Sequence, residues 1–331
     1  MTPDITVNVT RGGRVESVHH VAVCAVDKGG RVLYEAGAID APIYLRSAAK
    51  PFIAAAAIEA GVDTAFGLDS AEIAVIAASH AGEPMHVAAV LSILNKIGMN
   101  VDDLQCGVHW PYDERSADAL RRAGEKPSAL HNNCSGKHAG ILAMCKVIGA
   151  DTTSYLSLEN PAQRRILELC ARVSGDDAAT WPLAIDGCGI PVYATSLRNA
   201  AHSFARLATL TELSDRDALA LRTVRDAMVA HPQYVAGTGQ LDTELMRAGK
   251  GSIASKAGAE GVHGVAAIAQ ECGFVSKVLD GGARARGPST LGVLRHLGVI
   301  DEEQMELLAG FARPPVYNRA GKVVGEISTV V

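Results

Sequence analysis

Apolar and polar positions alternate along the first 40 residues. The stretches "ITVNVT", "RGGRVESV" and "HHVAVCAV" read as strands with β-branched residues at alternate positions, and "DKGG" turns the chain back into "RVLYEAGA". From about residue 46 to 310 the period becomes mostly helical. Helix starts are written plainly: Asp69 with Glu72 makes a capping box, Pro84 suits a first turn, and Asn160 ahead of Pro161 pairs a cap with a first-turn proline. Later, "GSIASKAGAEGV" and "GFVSKVLDGGA" return to strand, and "PPVYNRAGKVVGEISTVV" predicts a closing hairpin around Asn318 to Gly321. Strands at both ends with helices between them predict an α+β class, one antiparallel sheet built from both chain ends and packed with helices. No linker, internal repeat or low-complexity segment interrupts residues 1–331, so a single domain is expected.

Composition narrows the chemistry. Hydrophobic residues make up 48% of 331, enough for a buried core. The 31 basic and 36 acidic residues give a net charge of −5, and no Lys/Arg run exceeds two, so nucleic acid is not an expected partner. No stretch approaches the ~18 apolar residues of a membrane span, and "MTPDITVNVT" lacks the features of a secretory signal. A cytoplasmic protein is expected. Its seven cysteines, odd in number and scattered, read as reduced thiols. Small-molecule chemistry is the starting expectation.

Four stretches could carry that chemistry. In "LRSAAKPF", Ser47 and Lys50 stand three apart, and Pro51 requires a helix to begin close to Ser47. Ser47 is therefore either an N-cap or a nucleophile with Lys50 as its base. A lysine base must drop its pKa by about three units to be neutral at pH 7, through burial or a second cation. Lys256 in "ASKAGAEG" is a candidate second cation, unless it is simply solvated. The loop "IAASHAGEPMH" crowds Ser79 and His80 between helices, where both could merely satisfy backbone groups. "LHNNCSGKHAG" sets Cys134, Lys137 and His138 at the start of an apolar helix, whose amide groups suit a carboxylate or an oxyanion. "AIDGCGIPVY" places Asp186 and Cys188 between glycines, where turn chemistry alone is the plain alternative. Cys134 and Cys188 lack the paired spacing of a zinc finger, and a metal there would need a third ligand such as Lys137 or His138. "GTGQLD" lacks the pattern of a dinucleotide loop.

Taken in order, "RSAAKPF", "SHAGEPMH", "HNNCSGKHAG", "DGCGIP" and "KAGAEGVHG" resemble the asparaginase II family, the class 3 or rhizobial-type L-asparaginases. The resemblance runs from about residue 8 to the C-terminus. It implies the serine β-lactamase/glutaminase-like fold and hydrolysis of L-asparagine to L-aspartate and ammonia. By this resemblance Ser47 is the nucleophile with Lys50 as base, while Ser79 and Lys256 form a second Ser-Lys pair that relays protons. Cys134, Lys137 and Cys188 match a zinc site that assists substrate binding. Arg46, His138 and Asp186 are the candidates for holding the substrate's charged groups, and a homodimer is expected. The rival readings are a glutaminase or another Ser-x-x-Lys acyl hydrolase, and a non-catalytic asparagine-binding protein.

Overall fold

Strands from both ends of the chain meet in one antiparallel sheet, as the alternation at the two termini predicts. The computed structural model describes residues 2–330. In chain order the strands are β1 (Ile5–Arg11), β2 (Arg14–Asp27), β3 (Val32–Ala36), β4 (Pro42–Tyr44), β5 (Leu183–Ile185), β6 (Pro191–Ser196), β7 (Ile253–Ala257), β8 (Val262–Ala267), β9 (Cys272–Val278), β10 (Pro315–Tyr317) and β11 (Val323–Val330). The large sheet runs β10-β11-β1-β2-β9-β8-β7, with β3 added to β2. Its register pairs Val9 with Ile327 across β1 and β11, and Cys24 with Val275 across β2 and β9.

The chain packs as two compact units. The first takes residues up to Ala48, Ala194–Thr209 and everything from Glu244 onward. It contains the whole large sheet. β1 alternates buried and part-buried residues, as a strand with one covered face should, whereas β8 is buried throughout. Helix Leu197–Thr209 packs on β2, β8 and β9. Glycine permits this closeness: a Cβ on Gly264 would collide with the Phe204 ring, and one on Gly273 with the Ala205 amide nitrogen.

The second unit takes Ala49–Tyr193 and Leu210–Thr243 and is mainly helical. Its central helix, Lys50–Glu59, is buried from Lys50 to Ile58 and packs against helices Ser135–Ile148, Pro161–Ser174 and Asp215–Ala230. Four consecutive alanines explain how one helix can be enclosed on every side: they combine high helix propensity with little bulk. Among the described residues no helix is long and apolar enough to cross a membrane.

Several sequence expectations hold at the level of single hydrogen bonds. Asp69 and Glu72 form the capping box, Pro84 occupies a first turn, and Asn160 caps the helix that Pro161 begins. Three expectations need correction. Ser47 is not an N-cap: a 3₁₀ turn, Arg46–Ala49, comes first, and the α-helix starts at Lys50 behind Ala49, which caps nothing with its side chain. "RGGRVESV" and "HHVAVCAV" are one continuous 14-residue strand after the Gly12-Gly13 turn, because nothing between them breaks β structure. "GSIASKAGAEGV" ends as a strand at Ala257, and the separate strand β8 that follows was hidden because it is short and buried throughout.

Glu72 does more than complete a cap. Only 3% exposed, it also accepts hydrogen bonds from Ser92 Oγ and Lys96 Nζ, each at 2.6 Å. Glu72→Ala strands these donors and removes half the capping box, so it should destabilise the protein by about 2 kcal/mol. A denaturant midpoint that fails to fall would contradict this.

Candidate active site

Lys50 is the centre of the candidate site in the second unit. It is 1% exposed, and its Nζ donates to the Ala78 carbonyl at 2.6 Å, Ser79 Oγ at 2.9 Å and the Asn133 carbonyl at 3.3 Å. Three neutral acceptors, with the Cys134 sulfur as a further hydrogen-bond partner, do not replace bulk water around an ammonium. Burial consequently drives the Lys50 pKa below the usual lysine value, and the positive charge of Lys137 adds to the effect. Cys134 and Cys188 oppose it without reversing it. The amine is thereby moved toward the neutral form that can accept a proton.

Next to Lys50 lies a sulfur pair. A hydrogen bond between the Cys134 and Cys188 side chains, helped by Lys137 and Lys50, outweighs burial and holds Cys134 well below the ordinary thiol range. Cys188 is pushed up by the same bond and by burial. Lys137 Nζ reaches Cys188 Sγ at 2.8 Å. Burial disfavours the Lys137 charge, yet the two sulfurs and Asp186 raise its pKa to about 12. Two converging sulfurs with an amine beside them form a donor set of the right softness for zinc, provided the amine gives up its proton. Among the described residues no group of three His, Cys, Asp or Glu side chains forms a metal-binding cluster, so the amine has to complete the set.

Two substrate-binding candidates flank this pair. Asp186 opens the tight turn before Cys188, whose Sγ lies 3.8 Å from its carboxylate, and Gly189 completes the turn with φ of +90°. His138 is fully buried. The Gln105 amide donates to Tyr155 Oη at 2.7 Å, so the Tyr155 hydroxyl proton is free to go to His138 Nδ1, also at 2.7 Å. Nδ1 is then an acceptor and the proton sits on Nε2. Burial, with Lys137 and Lys50 nearby, keeps the ring neutral by lowering its pKa well below the usual value. That buried Nε2 has no hydrogen-bond partner, which leaves one N–H donor uncommitted.

The first unit carries Arg46, Ser47 and Lys256. Arg46 adopts φ of +52°, a conformation that costs an ordinary side chain about 1 kcal/mol, directly before Ser47. Ser47 is half-buried. Lys256, on β7, is fully buried and donates to the Ala257 carbonyl at 2.6 Å. Two residues later, Gly258 lies against the turn that bears Ser47: a Cβ there would stand 2.7 Å from the Leu45 carbonyl oxygen. The glycine of "SKAG" thus brings the end of the Lys256 strand next to the Ser47 turn.

Sequence reasoning missed what positions these groups. Tyr155 had no signal, because a lone tyrosine in "DTTSYLSLEN" resembles any other. Gly136 and Gly140 sat inside a quoted motif without an assigned role. A Cβ on Gly136 would stand 2.1 Å from the Val75 carbonyl oxygen, and one on Gly140 2.5 Å from Ile76 Cγ2. Both therefore let the Cys134–Lys137 segment close on the helix that leads to Ser79.

Comparison with known proteins defines the class. Residues 7–329 match the family L-asparaginase II, which spans nearly all of both units. The chain belongs to the L-asparaginase II family and is a hydrolase of amides. No curated protein matches it. Among solved structures it is similar to a provisionally assigned β-lactamase of Bacteroides dorei DSM 17855, at 14% identity and a TM-score of 0.46, over 83% of this chain and 93% of that one. It is also similar to the protein Mglu, at 14% identity and a TM-score of 0.38, over 84% of this chain and 67% of that one.

Proposed function

We propose that the protein is an L-asparaginase working through an acyl-enzyme on Ser47. The observation that carries the reading is the buried Lys50 amine, shifted toward neutrality, hydrogen-bonded to Ser79 and three residues after Ser47 in the chain. Ser47 Oγ attacks the side-chain amide carbon of L-asparagine and passes its proton to Lys50 Nζ. The tetrahedral adduct collapses to a β-aspartyl ester, and the amide nitrogen leaves as ammonia after taking up a proton. Water then attacks the ester, with the proton path running back through Lys50 and Ser79. Lys256 serves as the second cation of this relay.

Arg46 is assigned to the substrate α-carboxylate and Asp186 to its ammonium group, with the His138 Nε2–H as a further donor. Cys134, Lys137 and Cys188 would hold zinc, whose contribution there is charge that orients the bound amino acid rather than a hydroxide nucleophile. Reduced, buried thiols at all seven cysteines support a cytoplasmic setting, and the reading includes a homodimer with no nucleic-acid or membrane partner.

Ammonia release from asparagine by the purified protein tests the whole reading, with glutamine and a penicillin in parallel and Ser47→Ala as the control. Asparagine should be turned over fastest. Release no greater than that of Ser47→Ala sinks the enzyme reading, and faster turnover of glutamine redirects it. For the metal, elemental analysis should find about one zinc per chain in the wild type, with most of it lost in Cys188→Ser. Equal zinc in the variant would place the ion elsewhere.

A further inference from the structure

The three acceptors around Lys50 come from two separate stretches, Ala78–Ser79 and Asn133, and one side chain ties those stretches together. His80 is fully buried. The Gly82 amide donates to its Nδ1 at 3.2 Å, which fixes the proton on Nε2. Nε2–H then donates to Ser135 Oγ at 2.8 Å, and the Ser135 hydroxyl donates onward to the Leu130 carbonyl at 2.9 Å. The His80 backbone amide donates to the Asn133 carbonyl at 3.2 Å, the same oxygen that Lys50 uses. Behind it the ring stacks on His86, with centroids 4.9 Å apart and planes 13° from parallel. His86 in turn accepts from the Glu83 amide and donates to the Gln233 carbonyl.

Both ring nitrogens of His80 are therefore committed, Nδ1 within the 78–82 loop and Nε2 to Ser135 at the start of helix Ser135–Ile148. Neither is left for substrate. We propose that His80 is a positioning residue for the reaction, a neutral latch that keeps the acceptors of Lys50 at the separation its amine requires. The inference rests on the reading of Lys50 as the base. Geometry predicts which replacements work: the side-chain amide introduced by His80→Gln can still present an N–H toward Ser135, whereas His80→Phe keeps a ring and loses both hydrogen bonds. Because His80 acts through the placement of Lys50, its loss should appear in the chemical step more than in binding.

The test measures kcat and KM for asparagine in wild type, His80→Phe, His80→Gln, Ser135→Ala and the His80→Phe/Ser135→Ala double variant, with melting temperatures alongside. A displacement of about 1 Å at a reacting group costs roughly a hundredfold, so His80→Phe should lose about that much kcat with KM changed by less than about threefold. His80→Gln should recover most of the loss. Ser135→Ala should lower kcat in the same direction, and the double variant should be no worse than His80→Phe, since both remove one latch. A kcat for His80→Phe within about twofold of wild type overturns the proposal, as do losses that multiply in the double variant. If His80→Phe does not fold, an unchanged kcat in folded Ser135→Ala overturns it equally. Failure of the asparaginase reading has a separate signature: wild type itself would release no more ammonia than Ser47→Ala.

Discussion

Lys50→Met should fold and lose asparagine turnover by about 10⁴-fold or more, because in the proposed mechanism it removes the proton acceptor from a nucleophile that is inert without one. Methionine is the informative replacement. It fills nearly the same volume in the helix core and deletes only the amine. The wild-type rate should rise with pH through the Lys50 pKa, since the neutral amine is the competent form. Burial puts that acid limb of kcat/KM below the range of a solvated lysine, 10.5. Any residual activity of Lys50→Met should lack the limb.

Stability should move the other way. A folded-state pKa below the unfolded value penalises folding: the penalty is complete below the folded pKa and gone above 10.5. Lys50→Met removes it, so at pH 7 its melting temperature should equal or exceed that of wild type. A variant that keeps a tenth of wild-type kcat would reject Lys50 as the base, and a large drop in melting temperature would reject this account of its burial.

Gly136→Ala carries the second large effect, and it is felt in folding. The new methyl group would occupy the position of the Val75 carbonyl oxygen, 2.1 Å from its centre, and backbone cannot step aside as a flexible side chain can. Either the Ser135–Ile148 helix shifts or the preceding helix end unwinds. A cost of more than about 3 kcal/mol is expected, at the upper end of overpacking penalties. Gly149→Ala is the control. That residue ends the same helix with φ of +69° and open space around it, so only conformational strain applies, about 1 kcal/mol. Equal loss of melting temperature in the two variants would show that packing against Val75 is not what Gly136 secures.

Much of this was legible in the chain, for reasons that differ by element. Capping boxes and first-turn prolines are local, so Asp69, Glu72, Asn160 and Pro161 behave as their spacing predicts. The terminal strands were readable because one covered face imposes alternation on β1. β8 escaped because burial on both faces erases that period. A cap at Ser47 stayed among the readings because Pro51 says only that a helix begins nearby and cannot distinguish a 3₁₀ turn from an α turn. The lowered pKa of Lys50 depends on Ala78, Asn133 and Lys137, which are near in space and far in sequence. Spacing could nominate that lysine without saying what surrounds it. His80 was visible only as one more polar residue in a crowded loop, since its partner Ser135 stands 55 residues away.

The pairing of β1 with β11 also sets an order for biogenesis. β1 leaves the ribosome long before its partner, residues 323–330. All of the second unit, up to Thr243, is translated in the interval and can collapse on its own helices. Throughout that time β1 offers a bare backbone edge with Val7 and Val9 alongside it, the kind of edge on which nascent chains pair wrongly. That edge stays open until residues 323–330 arrive to cover it.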